Sequence, residues 1–302
     1  MSAKDIGKTK DFLRTAKVLS EAVPYIRRYA GSTVVVKFGG HAMVEPELAS
    51  LFAQDIVLMR QVGVHPIIVH GGGPQIDQML KRLAIKSEFV DGLRVTTPET
   101  MQIVEMVLAG AINKEVVSQI NQAGGCAIGL SGKDGALIRA RKLPPVQRKG
   151  GGEADLGLVG HPAKINAAML ASFAQTGIVP VIAPIGVGEN GETYNINADT
   201  VAGAVAAATR AKRMLMLTDV AGVLDGAGEL IPEMSEAEAK KAIADGTITG
   251  GMIPKVQTCL DAVASGVEAA VILDGRIPHA LLLEIFTAHG VGTLIRAAHA
   301  GG

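Results

Sequence analysis

The chain has 302 residues, enough for one large or two smaller domains at the usual ~100–200 residues each. Its 29 Lys and Arg balance 29 Asp and Glu, so no global field would hold it on nucleic acid or an anionic membrane, and with no Trp it has few platforms on which bases could stack. The 37 Gly and 48% hydrophobic residues suit a glycine-turned α/β protein acting on small molecules, and a length of 302 residues excludes a disulfide-stapled miniprotein.

The N-terminus, MSAKDIGKTKDFLRTAK, alternates charged and apolar residues and has no apolar core or cleavage site, so it does not read as a secretory signal, and a cytoplasmic location is expected. Phe12, Ala16, Leu19, Val23 and Ile26 then fall on one stripe of a helix, which either packs on its own domain or pairs with another subunit. Pro24 is expected to bend or end that helix. From Thr33 the pattern becomes strand, glycine turn, helix: TVVVKFGG, a helix from Glu47 to Val62, HPIIVHGGGP, and a helix from Gln75 to Leu83. Near-continuous Val/Ile runs are how parallel strands read when helices cover both faces. Lys142 to Asp155, rich in Pro and Gly, reads as an exposed hairpin or loop. Ile165 to Gly188 is uncharged and long enough to span a bilayer, yet Asn166, Gln175, Pro180 and Pro184 make it a helix followed by a buried strand. The alternation returns at AKRMLMLTDVAGVL and VEAAVILDGR. The expected fold is therefore an αβα sandwich with a mainly parallel central sheet, divided into an N-terminal helix (1–29), an N-terminal lobe (30–205) and a C-terminal lobe (206–302).

Cys126 and Cys259 belong to no Cys-x-x-Cys pair, which removes zinc and dithiol chemistry; both are expected to be buried thiols. Two nucleotide motifs almost appear. The run from Gly186 to Gly191 has dinucleotide spacing, but the following ETYNINAD is not the apolar helix such a loop must open. Gly132-Lys133-Asp134 lacks the upstream Gly and following Ser/Thr of a P-loop. Stronger candidates are Lys37-Phe38-Gly39-Gly40 and Gly71-Gly72-Gly73-Pro74, which end two successive strands. In a parallel sheet both loops lie at the carboxyl edge, where glycine lets backbone N–H groups approach a phosphate and a lysine offsets its charge.

The segments VVVKFGGHAM, IVHGGGPQI, DGLRVT, YNINADTVA, LTDVAGVL and GGMIPKV occur in an order that resembles the amino acid kinase family over nearly the whole chain. GGHAM, GLRVT and NINAD resemble the members that act on N-acetyl-L-glutamate rather than on carbamate, aspartate or uridylate. The resemblance implies transfer of the γ-phosphoryl group of ATP to the side-chain carboxylate of N-acetyl-L-glutamate in arginine biosynthesis, with Mg²⁺ arriving on the nucleotide. It implies that Lys37 and Lys255 are catalytic cations held by Asp199, that Gly72, Gly73, Arg94 and Asn195 bind the acyl substrate, and that Gly39, Gly40 and Asp219 lie near the nucleotide. The competing structural readings, less favoured, are a helix N-cap for Asp199, a surface ion pair for Arg94 and ordinary turns for the glycines. His41 and His70 are expected to shape the loops, because a carboxylate is already ionised at pH 7 and needs no general base. The N-terminal helix, together with HALLLEIF and GVGT, resembles the arginine-inhibited, hexameric members. That likeness implies an L-arginine site formed by Tyr25, His279, Glu284, Gly290 and Gly292, with Tyr29 as an alternative cover for the arginine stem. Glutamate or an acylated aminoadipate as acceptor, or a non-catalytic amino-acid sensor, are the rival readings; joint retention of Lys37, Asp199 and Lys255 argues against the last.

Overall fold

The computed structural model describes residues 3–148, 151–288 and 290–297. Helix α1 (Ala3–Tyr29) leads into β1 (Thr33–Phe38), α2 (Pro46–Gln61), β2 (His65–His70) and α3 (Gly73–Arg82). A hairpin of β3 (Phe89–Val90) and β4 (Leu93–Arg94) precedes α4 (Pro98–Glu105), a π-helical segment (Met106–Ile112), α5 (Asn113–Gln122) and β5 (Ala127–Leu130). Next come β6 (Ile138–Lys142), a short hairpin of β7 (Val146–Gln147) and β8 (Glu153–Ala154), β9 (Val159–Ile165), α6 (Ala167–Thr176), β10 (Val179–Ile182), β11 (Ile185–Val187) and β12 (Thr193–Ile196). The chain then continues through α7 (Ala198–Ala208), β13 (Arg213–Thr218), β14 (Glu233–Ser235), α8 (Glu236–Ala244), α9 (Met252–Ala264), β15 (Ala269–Asp274), α10 (Ala280–Phe286) and β16 (Gly292–Arg296).

Eight strands form one sheet in the order β14-β16-β15-β13-β1-β2-β10-β5, parallel throughout except for the β15/β16 pair. Strands preceding residue 206 fill one half and those following it fill the other, the two meeting where β1 pairs with β13. β13 and β15 are buried along their whole length, as strands covered on both faces must be. Alternation along β1 assigns the faces. Val34, Val36 and Phe38 enter a core built with α2, α3, α4, α5 and α10. Val35 enters the opposite core, built with α6, α7, α8 and α9. Lys37, two residues beyond Val35, therefore points to the α7/α9 side of the sheet at its carboxyl edge, where it sits beside Met216 of β13 and Val69 of β2. A small closed barrel, β6-β9-β12-β11 with β11 pairing back onto β6, brings Asn195 of β12 opposite Val159 of β9, both of which line the space at the same edge.

The N-terminal helix runs through Pro24 to Tyr29, so the proline does not end it and the helix closes at residue 29 as expected, its last turn tied by the bond from the Ala30 amide to the Ile26 carbonyl. One sequence expectation is corrected. Cys126 is exposed, in the turn that follows α5, while Cys259 is buried in α9, where burial pushes its thiol pKa far up. The tendency of free cysteines to be buried does not extend to loops, whose backbone stays near solvent. The Lys142–Asp155 stretch does form a hairpin, β7/β8.

Candidate active site

Loops at the carboxyl edge of β1 and β2, the β3/β4 hairpin, the start of α7 and the start of α9 enclose a cavity of about 320 Å³. Its lining includes Lys37, Gly39, Gly40, Gly72, Gly73, Arg94, Asn195, Asp199 and Lys255, so nine positions scattered over the sequence converge on one space.

Asp199 is the electrostatic centre. Its Oδ1 lies 3.1 Å from Lys37 Nζ and its Oδ2 lies 2.7 Å from Lys255 Nζ. Burial alone would raise its carboxyl pKa, but the charges of Lys37 and Lys255 and their hydrogen bonds outweigh that and hold it below the usual carboxylate range. Asp199 is thus ionised at neutral pH, and two ammonium groups face one carboxylate, leaving one positive charge for a ligand. Asp199 is not the cap of α7: the Asn197 side chain accepts from the Asp199 and Thr200 amides, which frees the aspartate to reach the lysines. Lys255 stands in the first turn of α9, and α3 begins at the glycine loop, so the N-termini of three helices add their partial positive charge to the same space.

The glycine loops are required by shape. Gly40 adopts a φ of 70°, and a Cβ there would stand 3.1 Å from Asp219 Oδ1. A Cβ at Gly72 would run into Ile112 Cδ1 and come within 2.7 Å of Leu108 Cδ2, both on the π-helical segment. Asp219 itself follows β13, is exposed, and accepts from Thr218 Oγ1 at 3.4 Å; it stands behind Gly40 rather than in the cavity lining.

Arg94 is presented by local turn chemistry. Asp91 and Gly92 take φ values of 48° and 80°, the two-residue hairpin that an Asp-Gly pair favours, and the register sets Arg94 opposite Phe89. The guanidinium then lies 4.5 Å over the Phe89 ring, with Nη1 2.6 Å from Asp77 Oδ1. Arg94 is not a surface ion pair: it is buried to 7% exposure on the cavity wall. Asn195 donates to Thr96 Oγ1 at 3.3 Å on the same wall.

His70 is fully buried, and burial, its largest influence, pushes its pKa down to about 4. Its Nδ1 donates to the Gly71 carbonyl at 2.8 Å and its Nε2 accepts from Asn113 Nδ2 at 3.2 Å, so a neutral ring braces the second glycine loop. The His41 side chain, beside the other loop, lies outside the described residues.

A model of the amino acid kinase family matches residues 32–274. The acetylglutamate kinase of Rhodospirillum centenum is 62% identical over 290 residues, covering 95% of each chain, and that of Rhodospirillum rubrum is 61% identical over 293 residues, covering 95% of this chain and 94% of the relative. The chain belongs to the amino acid kinase family. Among solved structures of the same fold, the N-acetylglutamate synthase of Neisseria gonorrhoeae, complexed with coenzyme A and N-acetyl-glutamate, superposes with a TM-score of 0.83 at 24% identity over 94% of this chain, which spans 63% of that longer protein. The carbamate kinase of Giardia lamblia bound to AMP-PNP gives a TM-score of 0.66 at 16% identity, covering 89% of this chain and all of its own.

The family residues singled out near the C-terminus do not all meet. Tyr25 lines an apolar groove between α1 and α10 with Leu282, Leu283 and Phe286. Glu284 accepts from the Val291 amide at 3.0 Å, between Gly290 and Gly292, and its charge reaches Tyr29 on one side and Arg213 on the other. His279 instead turns toward α2, where its Nδ1 is 2.6 Å from Asp55 Oδ1. Missed in the sequence were Asn197, Asp77, Phe89 and Leu108. The Asn-x-Asp spacing before an apolar helix and the Asp-Gly turn are signals for the first and third; nothing in one sequence announces the π-helical segment that presents Leu108.

Proposed function

We propose that this chain phosphorylates N-acetyl-L-glutamate on its side-chain carboxylate at the expense of ATP, with the acyl substrate in the cavity under Arg94 and Asn195 and the phosphates beside Gly39 and Gly40. The observation that carries this reading is the Lys37–Asp199–Lys255 bridge at the junction of the two glycine loops. Phosphoryl transfer asks a protein for position and charge rather than for a covalent partner. Lys37 and Lys255 supply positive charge where the transferring oxygens would lie, and Asp199 fixes both ammonium groups before substrate arrives, so they need no reorganisation during the reaction. The substrate carboxylate is its own nucleophile, which agrees with a buried, neutral His70. Arg94 would hold the other carboxylate through its planar donor edge, and Asn195 the amide. Leu93, Val159 and Leu108 give the lining an apolar wall that suits an acetyl group better than an ammonium ion.

Among the described residues no three His, Cys, Asp or Glu side chains gather as a metal cage. The single carboxylate of Asp219 behind Gly40 fits an Mg²⁺ that is held mainly by phosphates and water. Asp219 would hold such an ion beside the Gly39-Gly40 loop, where it would supply positive charge to offset that of the phosphates. ATP would then occupy the half of the sheet built from residues 206–302, and the acyl substrate the half built from 30–205.

We also assign a regulatory reading to the C-terminal segment, resting on the family likeness and on Arg213, whose guanidinium lies 5.6 Å from the Tyr29 ring centroid at the end of α1 and whose charge acts on Glu284. L-arginine would pair its guanidinium with Glu284, and the exposed stripe of Phe12, Leu19 and Val23 would join subunits into a hexamer.

The product class tests the catalytic reading. An acyl phosphate is captured by hydroxylamine as a hydroxamate, so the reaction with ATP, Mg²⁺ and N-acetyl-L-glutamate is expected to yield one hydroxamate per ADP. Excess chelator is expected to abolish it. ADP release without hydroxamate would mean that phosphate goes to water or to another atom.

A further inference from the structure

Arg94 is a buried cation whose surroundings do more than neutralise it. Its side chain is 5% exposed, so it must be compensated, and the compensation comes from Asp77, one turn into α3, whose carboxylate is half-exposed. Nη1 donates both to Asp77 Oδ1, at 2.6 Å, and to Ser87 Oγ, while Ser87 Oγ donates to the same carboxylate oxygen at 3.4 Å. Both Nη1 hydrogens are thereby used. Nη2 gives one long bond, 3.4 Å, to the Gly73 carbonyl, and the ring of Phe89 supports the guanidinium face at 4.5 Å. What remains for a ligand is the edge formed by Nε and the second Nη2 hydrogen, which is the pair of parallel donors that a carboxylate accepts most strongly.

We propose that Asp77 and Ser87 are positioning residues that clamp Nη1 of Arg94, so that the guanidinium offers its Nε/Nη2 edge to a substrate carboxylate. This rests on the substrate-site reading above and adds the reason that site is selective for a planar, two-oxygen group. Stacking on Phe89 alone leaves rotation in the ring plane free; the two acceptors on Nη1 remove it. Because Asp77 lies four residues after Gly73, the clamp also ties the arginine to the helix that begins at the substrate-side glycine loop. Arg94 is thus set relative to the loop that would hold the reacting carboxylate at the other end of the same substrate.

The test is a double-mutant cycle read in steady-state kinetics. Asp77→Ala is expected to raise the KM for N-acetyl-L-glutamate about tenfold while kcat and the KM for ATP stay within about twofold, the pattern of lost uniform binding. Asp77→Asn, whose amide oxygen still accepts from Nη1, is expected to give a smaller rise, as is Ser87→Ala. In an Arg94→Ala background, Asp77→Ala is expected to add nothing further, since a clamp has no effect without its guanidinium. Thermal melting of each variant accompanies the kinetics. An unchanged KM in Asp77→Ala alongside a raised KM in Arg94→Ala, or additive effects in the double variant, would overturn the clamp alone. An unchanged KM in Arg94→Ala would overturn the substrate-site reading and the clamp with it.

Discussion

At the scale of single residues, Asp199 explains why two lysines can be held close together in a buried space. Each carboxylate oxygen takes one ammonium group, so removing either lysine leaves the other as partner, whereas removing both would strand a buried anion. Lys37→Ala and Lys255→Ala are therefore expected to keep the fold, by circular dichroism and melting temperature, and to lose on the order of 10²-fold in kcat or more. Near-normal turnover in either would remove that lysine from the reaction. His70 predicts a pH dependence. Its folded pKa, about 4, lies below the ordinary value of 6.5, so the unfolded chain takes up a proton first as pH falls. The stabilising contribution is complete above the unfolded pKa and is lost between about pH 6.5 and pH 4, amounting at most to about 3 kcal/mol. Urea unfolding at pH 7 and pH 4.5 is expected to show a smaller loss in His70→Gln than in the parent; equal losses would mean the ring does not carry this linkage. The lysines, Arg94 and Asp199 were legible in the sequence because each sits in a distinctive motif. Their partners were not, because Asp77 and Ser87 meet Arg94 only through the packing of α3 against a hairpin, a relation that no local pattern encodes.

At the scale of elements, the Val/Ile runs of β1, β2, β13 and β15 announced a parallel sheet with both faces covered, and the helices between them followed from apolar periodicity. Helix α1 continues through Pro24 to Tyr29, since a proline in an exposed helix gives up one backbone bond while packing against α10 sustains the rest. The π-helical segment was hidden. Its extra residue per turn changes which side chains face the cavity without changing composition, and it presses Leu108 and Ile112 onto Gly72. Both side chains are buried and have little room to move, so Gly72→Ala is expected to destabilise by about 1–3 kcal/mol, the usual cost of overpacking. It is also expected to raise the KM for the acyl substrate more than that for ATP. A variant with parental melting temperature and KM would show that the segment yields freely.

At the scale of the whole molecule, one sheet carries two jobs. Strands from the two halves of the chain meet at the β1/β13 pair, so the cavity forms at a seam between two sets of loops while the hydrogen-bonded sheet stays continuous beneath it. The return of the strand–helix pattern after residue 205 announced a second set of strands; their direct pairing with the first strand was not announced, since sheet order is set by long-range contacts. No described helix is long and apolar enough to cross a membrane. On the stripe of α1, Phe12 is 71% and Leu19 64% exposed. Deleting residues 1–28 is expected to lower the subunit number in sedimentation and to weaken inhibition by L-arginine; a truncated enzyme with parental assembly and parental inhibition would refute the regulatory reading. The substrate assignment meets its most direct test in initial rates of ADP release with N-acetyl-L-glutamate, L-glutamate and L-aspartate as acceptors. A buried apolar wall beside Asn195 and Arg94 predicts a kcat/KM for N-acetyl-L-glutamate on the order of 10²-fold or more above that for glutamate, because the ammonium of glutamate would lose its hydration there without a partner. Equal or greater efficiency with glutamate would contradict it.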